Sequence, residues 1–217
     1  MNHKIGILGA GRIAHKMAYT VSQMEGYEIA AVASRSQENA DNFAQQYGIG
    51  KAYNSYEALV ADTEIELVYI ATPHSLHYNH AMLCLQNKKP VLCEKSFTTT
   101  AWEAEELFAT AKENGIFITE AIWTRYEPSR KILEDIIASG EIGTPSFLKA
   151  SLSYPVAEKE RLRKAELGGG ALLDLGVYCI NFALMNFGDD IDRIKSTCIR
   201  NEEGMDMQET FTFQYKD

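Results

Sequence analysis

The chain has 217 residues, 46% of them hydrophobic and 24% charged, with a formal net charge of −9. That length suits one large domain or two small ones with a genuine apolar core. Both halves are acidic, which excludes a basic nucleic-acid footprint and a cationic membrane-surface patch. Cys84, Cys93, Cys179 and Cys198 form no CxxC pair, and three sit in apolar segments, so they read as reduced, space-filling thiols. No apolar run approaches membrane-spanning length, and the start enters a strand pattern without room for a signal peptide. The expectation is a cytoplasmic globule with no membrane and no nucleic-acid partner.

Residues 4–8 form a short apolar strand running into a glycine turn. From Arg12, residues Ile13, Met17, Val21 and Met24 recur at helical spacing, and Gly26 stops them. Residues 28–33 read as a second strand. Ser36 caps a helix carrying Ala40, Phe43, Ala44 and Tyr47, and Gly48 closes it. A short helix from Ser55 precedes the apolar run 65–71, expected for a strand buried on both faces. Pro73 breaks that run. A helix over 78–86, a strand over 90–93, a helix over 100–114 and a strand over 116–119 complete the repeat. Such regular alternation predicts a doubly wound parallel α/β sheet with right-handed crossovers over residues 1–121.

After Ala121 the rhythm changes. Pro128 opens a helix with Ile132, Ile136 and Ile137, stopped by Gly140, and 146–154 reads as a long strand. Residues 158–166 are charged and predict a solvated loop or short helix. Gly168-Gly169-Gly170 leads into an apolar helix ending near Phe187, followed by strands near 194–200 and 207–215. Long strands with few helices predict an α+β domain over 122–217 with a largely antiparallel open sheet. The last strand pattern runs almost to the final residue, so this second domain reads as incomplete.

Gly9-Ala10-Gly11-Arg12-Ile13-Ala14 fits G-x-G-x-x-A between a strand and a helix. Gly9 permits the tight turn, Gly11 allows backbone to approach a pyrophosphate, and Ala14 allows close helix packing. Arg12 and Ile13 open the helix whose N-terminus faces the phosphates. A plain tight turn is the alternative. An NAD site usually places an acid after the second strand, but here Ala33-Ser34-Arg35-Ser36 follows. Arg35 suits a 2′-phosphate and Ser34 can add a hydrogen bond, which points to NADP rather than NAD. Otherwise Arg35 decorates a loop.

Glu94 and Lys95 end a buried strand, at the edge where open α/β sheets bind ligands. Lys95 is then a donor to a substrate oxygen; a surface Glu–Lys pair is the other reading. Asp174 and Tyr178 are four residues apart on an apolar helix and need a polar destination such as a cleft. Local capping of Asp174, with Tyr178 in a core, is the alternative.

The glycine turn, Ala71-Thr72-Pro73-His74-Ser75-Leu76-His77, Glu94-Lys95 and Gly168-Gly169-Gly170-Ala171-Leu172-Leu173-Asp174 together resemble the glucose-fructose oxidoreductase / inositol dehydrogenase / MocA family. Within it, Glu120-Ala121-Ile122-Trp123-Thr124-Arg125-Tyr126 and Asp174-Leu175-Gly176-Val177-Tyr178 are similar to the branch of dimeric dihydrodiol dehydrogenases and NADP-xylose dehydrogenases. The resemblance implies a Rossmann domain, a second α/β domain that pairs as a homodimer through its open sheet, and Tyr178 as the proton-transfer residue beside Lys95. It also implies that Thr72, Pro73, His74, His77 and Glu94 line the cofactor side of the crevice. Ser96 departs from the family, which usually has proline there, and family members continue well past residue 217.

The implied chemistry is hydride transfer between a nicotinamide and a carbon of a sugar, polyol or trans-dihydrodiol. Tyr178 and Lys95 handle the proton, and Asp174 orients a substrate hydroxyl or Lys95. Trp123 offers a flat apolar wall, and Arg125 and Arg161 are candidate substrate contacts. His74, His77 and His80 lack an acid or cysteine to complete a ligand set, so no metal is expected. A non-catalytic NADP-binding sensor on the same fold is the alternative function.

Overall fold

The computed structural model of the chain describes residues 2–156 and 158–216. It divides into two units between Ala121 and Ile122, each taken by itself below.

In the first unit, strands β1 (His3–Leu8), β2 (Tyr27–Ala33), β3 (Lys51–Tyr53), β4 (Leu67–Ile70), β5 (Val91–Cys93) and β6 (Ile118–Glu120) form one parallel sheet. Its order is β3-β2-β1-β4-β5-β6, so the winding reverses between β1 and β4. Strand residues alternate between two cores. Leu8, Ala33, Ile70 and Cys93 face helices α3 (Tyr56–Ala61), α4 (His77–Gln86) and α5 (Ala101–Asn114) through Leu59, Leu85 and Leu107. Ile7, Val32 and Tyr69 face α1 (Arg12–Ser22) and α2 (Gln37–Tyr47) through Ala18 and Phe43. Apolar side chains on both faces are what continuous apolar strands require.

Local signals set the helix ends. Ser36 accepts the Asn39 N–H at the start of α2, and Gly48 ends it in a left-handed conformation. Thr100 and Glu103 form a reciprocal capping box on α5. The three-residue strand β3 is an addition to the sequence reading; it is too short to show a periodicity.

The second unit opens with a 3₁₀ turn, Trp123–Arg125, and α6 (Pro128–Ser139), closed by Gly140. A short helix α7 (Glu160–Arg163) precedes the glycine run, a π-helical turn Leu172–Gly176 and α8 (Val177–Phe187). Strands β7 (Ile191–Arg200) and β8 (Asp206–Tyr215) form an antiparallel pair. Phe211, Phe213 and Tyr215 are half-buried while Thr210, Thr212 and Gln214 are exposed. The buried face of β8 meets α8, where the Tyr215 and Phe187 ring centroids lie 5.5 Å apart.

Three expectations change. Residues 146–154 form no strand, because no described segment supplies a hydrogen-bonded neighbour, and Phe147 and Tyr154 are exposed. Cys84 and Cys93 are buried, but Cys179 is half-buried and Cys198 exposed; all four are free thiols. One helical segment, Ala165–Phe187, is long and apolar enough to cross a membrane by length and composition, its most apolar 18 residues having a mean hydropathy of 1.5. Gly168–Gly170 and Asp174 had concealed that run in the sequence. Asp174 within it is ion-paired and the end of α8 packs on β8, as in a helix of a folded domain.

Candidate active site

At the mouth of β1, the Gly9 N–H donates to the Ala33 carbonyl at 2.8 Å. Gly9 has φ +99°, and a Cβ there would lie 2.9 Å from the Ala71 carbonyl oxygen. Both the turn and the close approach of the chain after β4 therefore require glycine. Gly11 differs: its backbone is extended, and a Cβ would meet nothing within 4 Å. It begins α1 with no side-chain cap and no acid in the first turn, so the first N–H groups and the positive dipole end meet no carboxylate of their own turn. Ala14 is fully buried against the sheet, while Arg12 and Ile13 are exposed. This arrangement fits a pyrophosphate.

After β2, the Ser34 N–H donates to the Tyr53 carbonyl at 3.0 Å, and Arg35 projects as an exposed side chain. Arg35 acts electrostatically on Tyr56 and His80, whose rings meet edge-on at 4.4 Å. His80 Nδ1 lies 2.9 Å from the Thr72 hydroxyl, and burial pushes its pKa down to about 4. Tyr56 and His80 thus share Arg35's corner. Sequence reasoning missed both, although His80 stood in the histidine series.

His77 is fully buried, with its Nδ1 2.7 Å from the Ser96 carbonyl and its Nε2 2.8 Å from the Thr72 carbonyl. One ring thereby joins the loop after β4 to the loop after β5. Burial also holds its pKa below the ordinary histidine value. Its ring stands edge-on to buried His74, with centroids 5.6 Å apart, and half-buried Pro73 begins the turn that carries His74. Among the described residues, no three histidine, cysteine or acidic side chains gather as a metal-ligand set.

Glu94, half-buried, accepts from the Tyr69 hydroxyl, and its other oxygen takes the Lys95 N–H at 3.3 Å. Burial pushes the Glu94 pKa up, and burial beside that carboxylate pushes the Tyr69 pKa up as well. Lys95 is half-exposed, and the Lys95–Ser96 peptide bond is cis. The Phe97 N–H donates to Glu120 at 2.9 Å, fixing the next step of the loop.

In the second unit the glycine run is a matter of space. A Cβ on Gly169 would lie 2.7 Å from the Leu162 carbonyl oxygen, and one on Gly170 (φ +98°) only 2.0 Å from Asp206 Oδ1. The other Asp206 oxygen accepts the Leu172 N–H at 2.6 Å, starting the π turn. Asp174 is buried and accepts from Arg161 at 2.8 Å. Trp123 Nε1 donates to the Tyr178 hydroxyl oxygen at 3.0 Å. Arg125 Nε donates to Asn181 Oδ1 at 2.7 Å, and Asn181 donates on to the Val177 carbonyl. The structure therefore brings Trp123 to Tyr178 and Arg161 to Asp174. Asp206 and Asn181 carried no sequence signal, because each acts through distant partners.

The reversing parallel sheet and the glycine turn define a dinucleotide-binding protein of the doubly wound class. Residues 3–121 match the oxidoreductase family model with an NAD-binding Rossmann fold, and residues 131–217 match the GFO/IDH/MocA C-terminal domain. The chain belongs to the GFO/IDH/MocA oxidoreductase family. Among curated relatives, a trans-1,2-dihydrobenzene-1,2-diol dehydrogenase of Xenopus tropicalis is 35% identical over 99% of this chain. The Mus musculus dehydrogenase of the same name is 37% identical over 97%. The chain spans 66% and 64% of those relatives' lengths. A solved 3-ketoreductase from Actinomadura kijaniata, in complex with NADP and TDP-benzene, superposes over the whole chain with a TM-score of 0.92 and 28% identity. The chain covers 67% of that enzyme. An NAD-binding oxidoreductase from Klebsiella pneumoniae matches 99% of this chain and 64% of its own, with a TM-score of 0.82 and 26% identity.

Proposed function

We propose that the chain carries the cofactor and proton-transfer residues of an NADP-dependent dehydrogenase or reductase acting on CH–OH groups. The observation that carries this reading is Gly11, uncrowded at an uncapped helix start in a chain of this family. Residues 1–121 are the dinucleotide-binding domain, and 122–217 are a partial substrate and dimerisation domain. Gly9, Gly11, Arg12 and Ile13 receive the pyrophosphate. Arg35 and Ser34 receive the 2′-phosphate, there being no acid at 33–36 to select NAD. Thr72, Pro73, His74, His77 and Glu94 shape the nicotinamide end. The solved 3-ketoreductase, crystallised with NADP, supports the same cofactor.

The nicotinamide supplies or accepts the hydride. Tyr178 exchanges the proton with the substrate oxygen. A phenol of ordinary pKa, about 10, is a poor base at neutral pH. Lys95 is the lysine that the family resemblance assigns to this tyrosine, and an ammonium in that role favours a phenolate. Asp174, held by Arg161, sets the polar end of the same helix. Trp123 offers an aromatic wall, and Arg125 and Arg161 contact the edge of the substrate. The substrate is a sugar, polyol or trans-dihydrodiol; the curated dehydrogenases act on the last by name. Homodimerisation uses the sheet of β7 and β8. Four free thiols suit a reducing cytoplasm.

The test is a panel of trans-1,2-dihydrobenzene-1,2-diol, D-xylose and a polyol, followed by NADPH and NADH absorbance. Formation of NADPH with at least one of these compounds, in excess over NADH, is the expected result. Cofactor binding without turnover on the whole panel overturns the dehydrogenase assignment, and faster NADH formation overturns the role of Arg35.

A further inference from the structure

Trp123 is 55% exposed, which alone suggests only a flat surface for a ligand. Its indole has a direction as well. An indole N–H donates and cannot accept. The 3.0 Å contact with Tyr178 therefore makes the phenolic oxygen the acceptor, and the phenol's own proton points away from Trp123. The rings stand at 63° with centroids 6.1 Å apart, so the indole meets the phenol edge-on and does not stack on it.

The turn that carries Trp123 is itself anchored to α8. Arg125, two residues on, donates to Asn181, and Asn181 donates to the Val177 carbonyl. Tyr178 and Asn181 are three residues apart and so are neighbours on one helical face. Two side chains of a three-residue turn thus reach two adjacent positions of α8. The indole is held by its surroundings as well as by the phenol.

We propose that Trp123 is a positioning residue that sets the ionisation of Tyr178, a role resting on the reading of Tyr178 as the proton-transfer group. In oxidation the Tyr178 phenolate would take the O–H proton of the alcohol, and in reduction the phenol would return it, the matching hydride chemistry being what a bound nicotinamide would supply. The indole keeps its proton throughout. A donor to an oxygen that becomes negative strengthens as the charge forms, so the contact favours phenolate over phenol. Arg125 and Asn181 serve the same end by fixing the turn.

The test needs no substrate. Tyrosinate absorbance is titrated for the full chain and for Tyr178→Phe, and their difference isolates Tyr178 from the 11 tyrosines. The same difference is taken in a Trp123→Phe background, which keeps an aromatic wall and removes the donor. The Tyr178 midpoint should rise by about one pH unit, a tenfold change in the phenol–phenolate equilibrium. An unchanged midpoint overturns the proposal and leaves Trp123 as a wall. If Trp123→Phe fails to fold, the indole N–H resonance of Trp123 is compared between the full chain and Tyr178→Phe. An upfield shift on loss of the acceptor supports the contact, and an unmoved resonance overturns it. A panel without turnover overturns the dehydrogenase reading while the titration still decides this one.

Discussion

Asp206, the first residue of β8, closes the start of the π turn by accepting the Leu172 N–H at 2.6 Å, while its other oxygen fills the space that a side chain on Gly170 would need. One carboxylate thus explains both a helix start and a glycine. Asp206→Ala removes a cap and should destabilise the chain by about 1–2 kcal/mol. Gly170→Ala should cost more, since it adds left-handed backbone strain to a steric overlap. In the double variant the overlap is relieved and the strain remains, so the two effects should not add. Thermal melts by circular dichroism read all three; additive losses would mean that Asp206 and Gly170 are independent.

Tyr178→Phe and Lys95→Ala should each lower turnover by about 10²-fold or more, the scale of a lost acid–base group. NADP affinity should stay within about twofold for Tyr178→Phe, since the phenol serves the proton and not the nucleotide. Steady-state kinetics beside NADPH fluorescence titration measure both quantities. Normal turnover in either variant contradicts the assigned roles.

Arg35→Ala should weaken NADP binding by about 10- to 100-fold, the scale of a charge-assisted hydrogen bond to phosphate. NAD binding should barely change, because its ribose carries no phosphate at that position. Paired titrations with the two nucleotides check it; equal losses for both would place Arg35 elsewhere on the cofactor.

Burial holds both His77 and His80 below the ordinary histidine pKa of about 6.5, and His80 at about 4. Between about 6.5 and 4 the unfolded chain binds more protons on the His80 ring than the native chain does. Stability therefore rises with pH across that window and is lost as pH falls from about 6.5 towards 4. His80 faces the Thr72 hydroxyl and the Tyr56 ring, with Glu57, Arg35 and His77 acting on its charge. Urea midpoints at pH 7 and pH 4.5 should differ less in His80→Gln than in the parent chain. An equal difference in both would show that His80 titrates alike in the folded and unfolded chains.

Elements set by neighbouring residues are legible in the sequence. Ser36 with Gly48, Thr100 and Gly140 marked helix ends, and the two-sided apolar strands marked a covered sheet. What escaped depends on distant partners. Residues 146–154 have strand composition but no ladder, and the Asp206 cap joins residues 34 apart along the chain. The spacing of Asp174 and Tyr178 suggested a shared destination. Asp174 meets Arg161 in α7, and Tyr178 meets Trp123 in its 3₁₀ turn. Spacing reports which face a residue occupies, and only tertiary contact reports what meets it.

The two glycines of the first turn answer to different masters. Gly9 is demanded by the chain itself, through its positive φ and the Ala71 carbonyl beside it. Gly11 has ordinary backbone angles and open space, so alanine there should leave the melting temperature almost untouched. Gly11→Ala therefore separates the integrity of the sheet from its fitness to hold a nucleotide.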